Sequence, residues 1–204
     1  GLHSNPLVTR TNTKQMLFGI AQGGTFADLR EESAAFVLSQ DVEGFAIGGV
    51  AIGEPPEKMF DAIRIQCNVF EQQREKPRYV MGLGSPQHLL DAIELGCDCF
   101  DSIFPTQNAR RGSLFTQKGV LRITNGAFGG QTAPIEEGCQ CYTCTHFSRG
   151  YVHHLLRMQE RLGFRLASIH NIYFVEKLLA DARDAIVEGR FEAFRKDFLK
   201  QYVK

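Results

Sequence analysis

Three times in the first hundred residues a short apolar run reaches a glycine or a turn and gives way to a stretch with helical spacing, and a fourth apolar run follows. LFGIAQ (17–22) runs into Gly23 and Gly24, then a helical stretch over 25–39. GFAIGG (44–49) leads to Pro55-Pro56 and a helix with Met59, Phe60, Ile63 and Val69 on roughly one face. RYVMG (78–82) is followed by Ser85-Pro86, an N-cap and first-turn proline, and a helix to Leu95. Gly96 ends that helix, and CDCFDSIF (97–104) is the fourth apolar run. Short apolar strands alternating with helices predict a parallel sheet covered by helices, an α/β fold. Right-handed crossovers then bring all four strand C-termini to one rim, where such folds build their sites.

From Pro105 onward the rhythm breaks. SLFT and VLRIT flank Gly119 as a hairpin, and GAFGGQTAP reads as a glycine-rich loop. A cysteine cluster follows, then an amphipathic helix from Ser148 to about Leu162. A longer helix is expected from Asn171 to Glu188, with Ile172, Val175, Leu178, Leu179, Ala182 and Ile186 at helical spacing. A final helix covers Phe191 to Tyr202. The chain thus divides into a polar tail (1–15), four βα units (16–104), a cysteine-bearing subdomain (105–170) and C-terminal helices (171–204). A hydrophobic fraction of 43% supports a packed core, and no apolar run approaches the roughly 20 residues of a membrane span. With no signal-peptide pattern, the expected location is the cytoplasm. The 23 basic and 23 acidic side chains cancel, which excludes a histone-like protein holding nucleic acid by bulk charge. The cancellation is uneven: residues 1–103 hold 8 basic and 14 acidic side chains, and residues 104–204 hold 15 and 9.

The six cysteines fall into two classes. Cys67, Cys97 and Cys99 read as small buried apolar residues, the last two facing the same way along one strand. Cys139, Cys141 and Cys144 place three thiols within six residues, and without a secretory context a soft tetrahedral ion, Zn²⁺ first, explains them better than a disulfide. His146 is too close along the chain to complete a tetrahedron, and His153 and His154 sit mid-helix. His170, at the expected start of the long helix and separated from Cys144 by 25 residues, fits the fourth position. Four protein ligands leave no open site, so the zinc is expected to be structural.

Asp98 and Asp101 lie three apart in the fourth apolar run, so the pleat sends them to opposite faces. Asp101 shares its face with Cys97, Cys99 and Ile103. A carboxylate there is expensive to bury without partners, and it either caps a loop or pairs with an arginine, or it does chemistry. The basic, polar stretch PTQNARRG (105–112), read as a loop, favours a phosphate-rich substrate beside it.

Taken together, GIAQGG (19–24), GFAIGGVAIGE (44–54), YVMGLG (79–84), FDSIFPTQNARRG (100–112), CQCYTC (139–144) and HNI (170–172) resemble the bacterial tRNA-guanine transglycosylases, from about residue 16 to the C-terminus. The resemblance implies strands five to eight of a TIM-type (β/α)8 barrel, with an inserted zinc-binding subdomain and a final barrel helix from Asn171. It implies exchange of guanine at the tRNA wobble position for 7-aminomethyl-7-deazaguanine (preQ1), in queuosine biosynthesis, through a covalent ribosyl-aspartate.

By the same resemblance, Asp101 is the nucleophile, Gln22 hydrogen-bonds the base and the Gly49 amide reads its carbonyl. Val50 and Ala51 form the peptide facing the 7-substituent, with Glu54 beside it, and Met81 is the apolar wall. Arg110, Arg111 and Gln107 are implied RNA contacts, Gln107 standing where the family pattern has arginine. Cys139, Cys141, Cys144 and His170 are the implied zinc ligands. The implied partners are the tRNA anticodon loop, guanine and preQ1, and a second copy in a full-length homodimer. A whole barrel needs about 250 residues, so the expectation is a fragment, inactive alone and prone to self-association through exposed strand edges. The competing expectation is a catalytically silent, zinc-containing tRNA-binding accessory subunit.

Overall fold

The structure, a computed structural model, describes residues 15–202, so nearly all of the polar segment 1–15 lies outside the described residues. In chain order its elements are β1 (Phe18–Ala21), α1 (Ala27–Leu38), β2 (Gly44–Ile47), α2 (Pro56–Phe70), β3 (Arg78–Val80), α3 (Pro86–Glu94), β4 (Cys99–Phe100), α4 (Phe104–Arg110), β5 (Ser113–Thr116), β6 (Gly119–Arg122), α5 (Tyr142–His146), α6 (Arg149–Arg157), α7 (Arg161–Val187) and α8 (Phe191–Tyr202). They form two compact units. One comprises the described residues through Met81 with Leu95–Phe100; the other comprises Gly82–Glu94 and the residues from Asp101 on. These units cut across the ranges 16–104 and 105–170 drawn from the sequence.

The first unit is the expected parallel sheet, in the order β1-β2-β3-β4. Its register aligns Ala21, Ile47, Val80 and Phe100 in one row. The residues that follow this row along the chain are Gln22, Gly48, Met81 and Asp101. Every residue of β2 is buried, as a central strand demands, and α1 packs against α2. Phe45 of β2 stacks on Phe70 of α2 with ring centroids 4.4 Å apart. Arg78 opens β3 buried, its guanidinium 2.7 Å from Glu71. Asp98 accepts the Arg78 N–H at 2.8 Å, which turns its carboxylate into a backbone partner.

Two expectations fail at β4. Only Cys99 and Phe100 pair, so the strand parity drawn through Ile103 stops before Asp101, which sits on a connecting segment. Cys99 is exposed, whereas Cys97 is buried with its Sγ 3.6 Å from that of Cys67. The short ladder leaves no strand to impose a common face on the two.

In the second unit β5 and β6 form the expected antiparallel hairpin, pairing Thr116 with Gly119 and Ser113 with Arg122. One apolar cluster joins Ala109, Leu114, Ile123 and Ile135 to Val152, Leu155 and Leu156 of α6 and to Leu166 and Ala167 of α7. A second joins Leu90 of α3, Phe115, and Phe174, Leu178 and Ala182 of α7, against which Phe191, Phe194, Phe198 and Tyr202 of α8 pack. Arg195 of α8 bonds Asp91 of α3 at 2.5 Å, fixing the two helices together.

Helix boundaries here differ from the sequence reading. PTQNARRG is largely helix, α4, because Pro105 falls in the first turn, where a missing N–H costs nothing. The break expected before Asn171 lies instead between α6 and α7, where Gln159 takes a left-handed conformation (φ 57°) and Glu160 N–H bonds Leu155 C=O at 2.9 Å. α7 therefore starts at Arg161 and carries His170 in its interior. Its buried stripe is Leu166, Ala167, His170, Asn171, Phe174, Leu178, Ala182 and Ala185, while Ile172 and Ile186 are exposed.

α6 and α7 meet at Gly163, where an added Cβ would lie 2.8 Å from Leu155 Cβ and 3.0 Å from the Leu156 nitrogen. Helix propensity alone favours alanine there by about 1 kcal/mol, but backbone cannot yield and overpacking costs about 1–3 kcal/mol. Gly163→Ala is expected to lower stability by about 1 kcal/mol net, read as a fall in melting temperature; a rise would contradict this packing.

Candidate active site and metal centre

The loop after β2 is shaped by one carboxylate. Glu54 Oε1 accepts the Ala51 N–H at 2.5 Å and Oε2 accepts the Ile52 N–H at 3.1 Å. Burial raises the Glu54 pKa, but the backbone N–H groups of Glu54, Ala51, Ile52 and Gly53 outweigh it and hold the group below the usual carboxylate range. The turn needs left-handed backbone at Gly49 (φ 63°) and also at Ala51 (φ 60°), where a Cβ makes it strained. The Val50–Ala51 peptide is trans, so with its N–H turned to Glu54 the Val50 carbonyl points the opposite way. A cavity of about 300 Å³ opens beside this loop, lined by Gly24, Gly49, Val50, Glu54 and Met59 among others, within the range of small-ligand sites.

Gln22 lies against this loop. A Cβ built on Gly49 would sit 3.4 Å from Gln22 Oε1, and one on Gly48 3.3 Å from Gln22 Nε2. Beneath both lies Arg30, 0% exposed. Its Nε donates to Gly24 O, Nη1 to Gly48 O and Nη2 to Gly49 O, each at 2.7 Å, and Nη1 also reaches Gln66 Oε1 at 3.1 Å. Gln66 Nε2 in turn donates to Gln22 O at 3.2 Å. Burial draws the Arg30 pKa down while the Glu54 charge pushes it up; a guanidinium keeps its proton regardless. Gln22, Gly49, Val50, Ala51 and Glu54 are thus brought together, on a support of Arg30 and Gln66 that sequence reading missed. Met81, just past β3, is half-buried, its N–H bonded to Ile47 O at 3.2 Å.

In the second unit Asp101 is exposed and its Oδ1 accepts the Gly82 N–H at 3.1 Å. Ser102 Oγ donates to Gly82 O at 3.0 Å and accepts from Phe104 N–H at 3.1 Å. One glycine residue, through its N–H and its carbonyl, therefore anchors both the carboxylate and the entry to α4. Gln107 and Arg110, three apart on α4, share a helix face with Arg110 exposed; Arg111 is the exposed C-cap.

The metal centre gathers Cys139, Cys141, Cys144 and His170, whose ligand atoms all lie within 4.8 Å of one another. His170 Nδ1 is 3.9, 3.5 and 3.4 Å from the three Sγ atoms in that order. A tetrahedral zinc with Zn–S of about 2.3 Å and Zn–N of about 2.0 Å requires S···N of about 3.5 Å, so the set fits. His170 Nε2 lies 2.8 Å from Phe115 O, and a carbonyl can only accept, so Nε2 carries the proton and Nδ1 offers its lone pair. Cys141 caps α5, accepting the Cys144 N–H at 3.3 Å. Hydrogen bonds from Cys139 and Cys144 drive the Cys141 thiol down, while Cys139 and Cys141 drive Cys144 up; a metal ion bound by this set stabilises its ligands in the deprotonated form. All four positions are filled by protein, which makes the zinc structural.

A sequence model of the family described as queuine tRNA-ribosyltransferase (TGT) matches residues 3–204. The chain belongs to this family. It is 44% identical over 196 residues to the queuine tRNA-ribosyltransferase of Herpetosiphon aurantiacus, covering 96% of this chain and 50% of that one. It is 47% identical over 187 residues to that of Francisella tularensis subsp. tularensis, covering 91% and 50%. The chain spans about half the length of the curated relatives it matches. Among its described residues no helix is long and apolar enough to cross a membrane.

The Cys3His set is the structural zinc site of this TGT-family chain, and its second layer was not legible from spacing. Asn171, 0% exposed beside His170, accepts the Phe115 N–H and donates to Pro105 O and Ser113 O, each at 3.0 Å. Metal analysis of protein purified without chelator is expected to give about one zinc per chain, and His170→Ala to weaken binding by about tenfold or more. Burial pulls His170 down, but hydrogen bonds to Cys139 and Cys141 lift it to about 9, so metal must displace protons. Zinc affinity therefore falls as pH is lowered, read by competition with a chromophoric chelator; an affinity independent of pH would contradict the ligand set.

Proposed function

We propose that this chain is the base-exchanging half of a tRNA-guanine transglycosylase, replacing wobble guanine with preQ1 in the cytoplasm. Its four strands correspond to strands five to eight of a (β/α)8 barrel. The sequential parallel order supports this, since a doubly wound sheet reverses its order at a switch point. The carrying observation is the strand register: the residues following one row are Gln22, Gly48, Met81 and Asp101. Ligand-reading and reacting groups at successive strand ends are what an exchange site on a barrel rim requires.

In the proposed reaction an Asp101 carboxylate oxygen attacks the ribose C1′ of an extruded nucleotide. The C1′–N9 bond breaks, its electron pair leaving with guanine, and a ribosyl ester remains. The incoming base attacks C1′ through its own N9, loses that proton to solvent and frees the carboxylate. Gln22 and the Gly49 N–H read the base, and Met81 forms its apolar wall. The Val50 carbonyl, turned away from Glu54, suits an aminomethyl donor, which favours preQ1. Gln107, Arg110 and Arg111 contact the anticodon backbone, Gln107 without the charge of an arginine. The full-length protein pairs as a homodimer, and the chain alone is inactive because the remaining strands and their acid/base groups are needed. A silent accessory subunit would have no use for Asp101 anchored on the Gly82 amide.

The test is incorporation of labelled preQ1 into an anticodon stem-loop by the chain carried in a polypeptide of its relatives' full length. Exchange is expected there and not with the 204 residues alone. Asp101→Asn is expected to cost about a thousandfold or more and to abolish the RNA adduct on a denaturing gel. Exchange by the chain alone would overturn the half-barrel reading, and an adduct surviving Asp101→Asn would overturn the nucleophile.

A further inference from the structure

Arg30 is the largest fully buried side chain of the first unit, and its hydrogen bonds all end on neutral oxygens. A buried guanidinium on backbone carbonyls is an expensive way to hold a turn, since neutral donors would satisfy the same oxygens without the cost of desolvating a charge. Its placement gives the charge a use. The carbonyl of Gly48 and the N–H of Gly49 belong to one trans peptide and point in opposite directions. Arg30 Nη1 therefore sits behind that peptide, 2.7 Å from its oxygen, and the Gly49 N–H points away from it. Among the described residues that N–H meets no acceptor.

We propose that Arg30 is a positioning residue for base recognition that acts through the Gly48–Gly49 peptide. The guanidinium polarises that peptide, so that the Gly49 N–H becomes a stronger donor to the 6-oxo group of a purine. This rests on the reading of Gly49 as the amide that meets the base carbonyl. As the C1′–N9 bond breaks, the electron pair passes to N9 and spreads onto O6, so the oxygen at Gly49 gains negative charge. A preset positive charge behind the donor stabilises that build-up without reorganisation. Nη2 on Gly49 O and Gln66 on Gln22 O hold the two base-reading residues in register with it.

The experiment compares binding of guanine and of 2-aminopurine, which lacks the 6-oxo group, by calorimetry on the full-length protein. Arg30→Met is expected to weaken guanine by about tenfold and 2-aminopurine by less than about threefold, a difference that tracks one polarised hydrogen bond. Arg30→Lys, which keeps the charge but not the fork, is expected to fall between and to preserve part of the discrimination. In exchange assays kcat is expected to fall more than KM rises, because the charge on O6 grows toward the transition state. If Arg30→Met fails to fold, as far-UV circular dichroism would show, Arg30→Lys carries the comparison. Equal losses for the two bases, or none for either, would reduce Arg30 to a strut and overturn the proposal. A wild-type protein that binds neither base would overturn the reading of the Gly49 site itself, and the proposal with it.

Discussion

The outer edge of β5 is closed by two side chains instead of another strand. His170 and Asn171, consecutive on α7, take the carbonyl and the N–H of Phe115, and Asn171 also takes the carbonyls of Ser113 and Pro105. Each buried backbone group left unsatisfied costs about 1–3 kcal/mol, so four such groups make the grip decisive for this unit. The same contacts give the metal centre its form, since the Phe115 carbonyl fixes the tautomer that leaves His170 Nδ1 to the thiolates. They also join that centre to the start of α4 through Pro105. Packing, metal chemistry and the placement of Gln107 and Arg110 thus share one set of buried hydrogen bonds.

The first unit solves a similar problem with a charge. Its strands are three or four residues long except for the two-residue β4, so their C-terminal ends would be poorly fixed by the ladder alone. Arg30 and Gln66 reach from α1 and α2 into the turns after β1 and β2 and bind their carbonyls. Glu54 does the complementary work on the N–H groups of the next loop. A cation under the carbonyls and an anion on the amides leave the Gly49 N–H and the Val50 carbonyl turned away from the side chains that hold their peptides. A preorganised donor and acceptor pair of this kind is suited to a base carrying a carbonyl and an aminomethyl group.

Much of this was legible in the sequence because it is written in periodicity and spacing. The short parallel strands alternating with helices, the hairpin around Gly119 and the metal ligands are local patterns and are found as expected, with the fourth strand cut to Cys99 and Phe100. What escaped was set by tertiary satisfaction of polar groups. The apolar residues Ile172 and Ile186 pointed to the wrong face of α7, since the true buried stripe contains His170 and Asn171, which no hydrophobic pattern selects. The same two residues looked like a helix boundary when they are its interior. The polar composition of PTQNARRG points to a loop and masks the first-turn proline that starts α4. Arg30 gives no sign at all: an arginine within a helical stretch reads as surface, and only the carbonyls of Gly24 and, farther along the chain, Gly48 and Gly49 account for its burial.

In the proposed reaction Asp101, anchored on the Gly82 amide, supplies the oxygen that bonds to RNA. Acid-quenching the full-length protein during turnover, digesting it with trypsin and sequencing the ribose-bearing peptide by tandem mass spectrometry tests this most directly. The segment Tyr79–Arg110 between two cleavage sites also contains Asp91, Glu94 and Asp98, which serve as internal controls. The added ribosyl mass is expected on Asp101. Its appearance on Asp98, on another carboxylate, or on none would contradict that assignment.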